Sequence, residues 1–146
     1  MKKIALIVMA AVIACLCMVS CGGSDVEGKW ECCKVIQGGT TYEDTYNGVP
    51  LGVVFRFDLQ SGGKGTMYAF SGTNDLDETA LTWEVDGDTV KIMDENGKNG
   101  EDFKLSGGKL SGKIGFEVEM KKVDKFQDFD IDELRESILA NMNEEN

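Results

Sequence analysis

Five cysteines, a large surplus of carboxylates and no histidine define the chemistry open to this 146-residue chain. Histidine is the commonest general base and imidazole the commonest metal ligand, so histidine-dependent triads and histidine zinc sites are excluded. A cysteine thiol can act as nucleophile, redox partner or acyl acceptor, and the adjacent pair Cys32-Cys33 could close a strained vicinal disulfide. Neighbours on a strand point to opposite faces, so the plainer expectation is one buried thiol beside one surface thiol. Asp128-Phe129-Asp130-Ile131-Asp132 has the alternating carboxylates that begin a calcium loop, but Glu133 stands where glycine is needed and Leu139 where a bidentate glutamate is needed. Asp94-Glu95-Asn96-Gly97 and Asn74-Asp75-Leu76-Asp77 are acidic segments that turn chemistry explains. Ser61-Gly62-Gly63-Lys64-Gly65 joins strand to strand without P-loop spacing. Arg56 would anchor an anionic ligand if it pointed inward, yet the alternation sends it outward with Asp58. Glu84, Glu117 and Glu119 likewise point to solvent. No catalytic, metal or cofactor-binding site is expected.

The thiol with a defined expectation is Cys21. Lys2 and Lys3 precede an apolar run of about 16 residues, Ile4 to Val19, which is short of the roughly 20 needed to span a bilayer and lacks a basic stop-transfer cluster. Met18-Val19-Ser20-Cys21 resembles the lipobox of bacterial lipoprotein signals, which implies cleavage after Ser20 and a diacylglycerol on Cys21. Val12-Ile13-Ala14-Cys15 competes, but would leave an apolar core of only about ten residues. Cys15 and Cys17 then leave with the signal, and Gly22-Gly23-Ser24 becomes a flexible spacer. The formal charge is −11, and losing Lys2 and Lys3 makes it two units more negative. So acidic a surface disfavours nucleic acid and anionic headgroups as partners.

The chain from Gly28 to Val123 has the pattern of a β protein: short alternating runs, abundant glycine and a single proline, Pro50. Strands are expected at 29–36, 52–59, 64–70, 79–85, 88–94, 101–105 and 109–122. The last is either one long strand or, through Gly112 and Gly115, a hairpin, so the count is seven or eight. A turn at Asp86-Gly87 would set Trp83 opposite Val90 and Leu81 opposite Ile92, and Gly107-Gly108 would set Leu105 opposite Leu110. The inward face comprises Trp30, Val53, Phe55, Phe57, Leu59, Leu81, Trp83, Val90, Ile92, Phe103, Leu105, Leu110, Phe116, Val118 and Met120. An antiparallel meander with one apolar face closes most economically into an up-and-down barrel. A helix of about 131–142 follows, capped by Asp130, with Ile131, Leu134, Ile138 and Met142 on one face and Phe126 and Phe129 docking it.

Gly28-Lys29-Trp30 resembles the G-x-W motif that opens the lipocalin barrel. With the Gly62–Thr66 hairpin, the run Trp83-Glu84-Val85-Asp86-Gly87-Asp88 and the meander over 28–123, the chain is similar to the small lipocalin-like domains of bacterial, mostly Gram-positive, lipoproteins. The resemblance implies an all-β, eight-stranded barrel plugged at one end by Trp30, with the first long loop, residues 37–51, near the other end. A loop of that length is often a lid or binding element, which makes Tyr42, Tyr46 and Pro50 the candidate ligand or lid contacts.

The expected organisation is a cleaved signal at 1–20, a lipidated spacer at 21–27, the barrel at 28–123, and a helix and tail at 124–146. Bulky aromatics on the inward face predict a filled lumen. The expected function is accordingly a non-catalytic surface lipoprotein, held to the outer face of the cell membrane through Cys21, that serves as a structural or protein-interaction module of the envelope. The alternative is carriage of a small apolar ligand. No cofactor is expected.

Overall fold

The computed structural model describes residues 25–72 and 76–144, so the signal, Cys21 and the spacer lie outside the described residues. Eight antiparallel strands form the barrel: β1 Gly28–Gln37, β5 Phe55–Gln60, β6 Lys64–Phe70, β7 Leu76–Asp86, β8 Thr89–Asp94, β9 Glu101–Ser106, β10 Lys109–Lys113 and β11 Glu117–Val123. Each pairs with the next, and β1 pairs with both β5 and β11, which closes the sheet. Closure removes the exposed edges that a meander would otherwise present. The ambiguous last span is a hairpin, with Lys113 opposite Glu117 and Gly115 in the left-handed region at φ 82°.

Between β1 and β5 the chain does not form the long open loop expected at 37–51. Gly38-Gly39 turns β1 into the short strand β2, Thr40–Tyr42. Asn47-Gly48 turns β3, Thr45–Tyr46, into β4, Val49–Pro50. Both dipeptides hold two successive positive φ angles, the requirement of the tight hairpin turn whose twist matches paired strands.

Residues 52–59 are not one strand either. Pro50 leads into a helical turn, α1 Leu51–Val54, before β5 begins. The turn separates two side chains that a strand would have placed on one face. Leu51 enters the barrel core, whereas Val53 joins Val49 and Leu134 in a second cluster outside it.

A bulge at Cys33 corrects the parity of β1. Cys32 pairs with Met120 and Lys34 with Glu119, leaving Cys33 as the extra residue. Trp30 and Cys32 therefore face inward before the bulge, and Val35 after it. The β7–β8 register also differs from expectation. The turn is Gly87-Asp88, so Trp83 faces Ile92 and Leu81 faces Asp94. A shift of two leaves every side chain on its face, which is why the apolar pattern alone could not reveal it. Leu105 does face Leu110.

One end of the barrel is solid. Trp30 is 1% exposed and donates its indole Nε1–H to the Val26 carbonyl at 2.8 Å. Trp83 donates to the carbonyls of Gln60 and Lys64 at the β5–β6 hairpin. Phe57 and Phe103 meet edge to face at 5.4 Å, and the Phe103 ring lies so close to Gly112 that a Cβ there would stand 2.6 Å from it. Glycine at that position lets a large ring cross the lumen.

Past Val123 the chain turns back along the outside of β1 and β5. Asp130 Oδ1 accepts from the amides of Asp132 and Glu133, starting α2 Ile131–Glu144. Leu134 is buried and Ile138 half-buried against α1 and β6, while Met142, expected on the same face, is 58% exposed.

Candidate functional site

The end of the barrel opposite Trp30 is open. A cavity of about 760 Å³ lies there between the β3–β4 hairpin, the β10–β11 hairpin, β6 and α2. Its walls are chiefly Val54, Phe55, Met67, Ala69, Ile114 and Phe116, with Ile138 of α2 at one side. A second cavity of about 210 Å³ shares Phe55, Met67, Glu101 and Ile114 with it and reaches between β7 and β8 toward Phe57 and Phe103. The expected filled lumen is thus right for one half of the barrel and wrong for the other. Trp30, Phe57, Trp83 and Phe103 crowd the closed end, while at the mouth the rings of Tyr46, Phe55, Phe70 and Phe116 line the walls and leave the space between them open.

The three residues singled out in the first connection separate. Tyr46 lines the cavity, stacks on Phe116 at 5.7 Å and donates its hydroxyl to Gln37 Oε1. Tyr42 meets the Tyr46 ring edge to face at 5.1 Å but does not line the cavity. Pro50 is half-buried ahead of α1 and is likewise absent from the lining. Tyr46 and Phe116 together form one wall of rigid aromatic surface.

The charged side chains that line the two cavities are of one sign. Glu101 faces inward, on the same side of β9 as Phe103 and Leu105, and lines both cavities. Its carboxylate has no hydrogen-bond or ion-pair partner among the described residues. Asp94, which also lines the smaller cavity, is committed to its own turn: it accepts from the amides of Lys98 and Asn96 and from Asn99 Nδ2. Those bonds, the Lys98 amide foremost, hold Asp94 below the usual carboxylate range. The turn reading of this acidic segment is therefore the one the structure supports. Glu101 escaped the sequence reading although the signal was present, since 101, 103 and 105 share parity within the expected strand.

The remaining candidates lie elsewhere. Cys32 is buried in the core and Cys33 half-buried at the bulge, both as free thiols. Burial pushes the Cys32 thiol up to about 12 and, with Glu119 adding, raises Cys33 as well, so neither is a thiolate at neutral pH. Glu119 takes a 2.8 Å ion pair from Lys109 on the outer face. Arg56 points outward as expected but is 5% exposed, because residues 126–129 cover it. No group of three or more metal-ligating side chains occurs among the described residues.

A closed antiparallel barrel, plugged at one end and opening at the other into an apolar cup, has the architecture of the small up-and-down barrels that enclose a cavity. Residues 26–112 match the lipocalin-like domain family, and the chain belongs to that family. The match ends within β10, so β11 and α2 lie beyond it. Among solved structures, a lipocalin-like protein from Bacteroides uniformis is similar, at 17% identity and a TM-score of 0.48, over 68% of this chain and 99% of its own. No curated protein matches.

Proposed function

We propose that this protein is a non-catalytic binding module that takes a small apolar molecule into the open end of its barrel and is tethered to the outer face of the membrane through a lipid on Cys21. The observation that carries the binding reading is the cavity of about 760 Å³ with mainly apolar walls. Its size is in the range of ligand pockets, roughly 300–1,000 Å³. It puts carriage ahead of the envelope-interaction role that a filled barrel would favour.

The test is binding of the neutral apolar fluorophore N-phenyl-1-naphthylamine to the purified protein. Ala69 lines the cavity at its β6 wall, so Ala69→Trp should fill it. We expect that variant to lose at least about tenfold in affinity, ~1.4 kcal/mol, with its thermal midpoint retained. Undiminished binding by a folded Ala69→Trp protein would place the guest elsewhere and end this reading.

The tether is supported by the basic start, the apolar run and the lipobox-like Met18-Val19-Ser20-Cys21. Val26 lies at the closed end, bonded to Trp30. A lipid on Cys21, a few residues upstream, would therefore hold the closed end toward the bilayer and leave the mouth facing away. Two acyl chains suffice for stable anchoring. Cys21→Ala should move the protein from the membrane fraction to the aqueous one, and a variant that stayed with membranes would refute the anchor.

A further inference from the structure

We infer that the guest of this cavity is an amphiphile with a cationic head, its apolar body against Phe55, Met67 and Phe116 and its charge beside Glu101. The inference rests on the cavity reading above and adds the chemical class of the ligand. Two observations carry it. First, the only charged side chains lining either cavity are carboxylates, Glu101 in both and Asp94 in the smaller. Lys91, Lys98 and Lys113 occur in the neighbouring strands and loop, but none lines either cavity.

Second, the two carboxylates differ in what they have left to offer. Asp94 has both oxygens engaged by Asn96, Lys98 and Asn99. Glu101 has no partner among the described residues, although it stands on the inward face of a strand whose next inward residue, Phe103, is fully buried. An apolar residue would extend the cup wall there more simply. A free carboxylate at its rim instead presents negative charge where the polar end of a guest must lie. An alkyl carboxylate would bring a second negative charge against Glu101 with no cation to receive it, whereas an ammonium head would find its counter-charge in place.

Decylammonium, decanol and decanoate share one chain length and differ in head charge, so calorimetric titration of the three separates the head from the chain. Below micellar concentrations and at low salt, we expect decylammonium to bind about tenfold more tightly than decanoate, with decanol between them. Glu101 is solvent-exposed, so the ratio should narrow as ionic strength rises. Glu101→Gln should bring the cation-to-anion ratio close to one while decanol affinity holds, and Glu84→Gln, an exposed outward position on β7, should leave the ratio as in the parent. Decanol binding with equal cation and anion affinities would overturn the charge preference and leave the cavity reading standing. A ratio that persists in Glu101→Gln would overturn the role of that residue. Failure of all three probes to bind the folded protein would remove the cavity reading and this inference with it.

Discussion

Replacing Arg56 by alanine should destabilise the protein by about 3–5 kcal/mol, the usual cost of leaving one member of a buried ion pair without its partner. Arg56 and Glu31 are directly opposed on β5 and β1, each 5% exposed, with Nη2 and Oε1 3.9 Å apart. The guanidinium also donates to the carbonyls of Gly52 and Gln127, and Glu31 accepts the Gln127 amide. Phe126 and Phe129 close over the guanidinium at 5.0 and 5.7 Å. Burial lowers the affinity of Arg56 for its proton and Glu31 opposes that, but arginine stays charged throughout the physiological range. Gly52 belongs to the same arrangement, because a Cβ there would stand 2.9 Å from Glu31 Oε2 and Gln127 Oε1.

Alanine at 56 therefore strands the Glu31 carboxylate and releases the segment that leads to α2. Urea unfolding should show the loss, and hydrogen exchange should show the Gln127 amide opening. A double replacement, Glu31→Leu with Arg56→Met, removes both charges and should recover most of the stability, since buried pairs are often replaceable by apolar residues of similar size. A loss below about 1 kcal/mol for Arg56→Ala would be the value of a surface pair, and would mean that residues 126–129 do not cover the pair in solution.

Trp30→Ala should cost a similar amount, about 3–5 kcal/mol for truncating a fully buried aromatic. The indole is the plug of the closed end, and its loss leaves a void between β1, β5 and β11 as well as an unpaired Val26 carbonyl. Trp30→Phe keeps most of the packing and loses the hydrogen bond, so it should cost less than the alanine variant. Because Trp30 lies at the end opposite the cavity, the folded fraction of either variant should bind N-phenyl-1-naphthylamine normally. Impaired binding at conditions of full folding would show that the two ends of the barrel are coupled.

The closed end and the barrel itself were legible because they rest on local rules. The alternation of Phe55, Phe57 and Leu59, of Val90 and Ile92, and of Val118 and Met120 assigns a face to each residue by the two-residue period of a strand. The Gly107-Gly108 turn states its own register, and Asp130 states the start of α2 through bonds spanning two and three residues. Asn47-Gly48 and Gly38-Gly39 carried equally local signals that the long-loop reading passed over. The bulge at Cys33 had none, since it is set by how β1 meets β11 rather than by the residues within β1.

Periodicity and turn chemistry act over a few residues, so the sequence assigns the inward side chains of β5 and of β7 to β11, the Gly107-Gly108 turn and the apolar stripe of the terminal helix. What stands opposite those side chains depends on segments far apart in the chain. Arg56 is outward by alternation and buried by a segment 71 residues away. Phe103 fills the closed half because Gly112 admits it, while Phe55 and Met67 on the paired strands β5 and β6 and Ile114 at the β10–β11 turn line the hollow mouth. Glu101 is one more acidic residue in an acidic sequence until closure of the sheet sets it at the rim of an apolar cavity that no cation lines. Direction is a local property of the backbone, but enclosure depends on residues far apart in the chain.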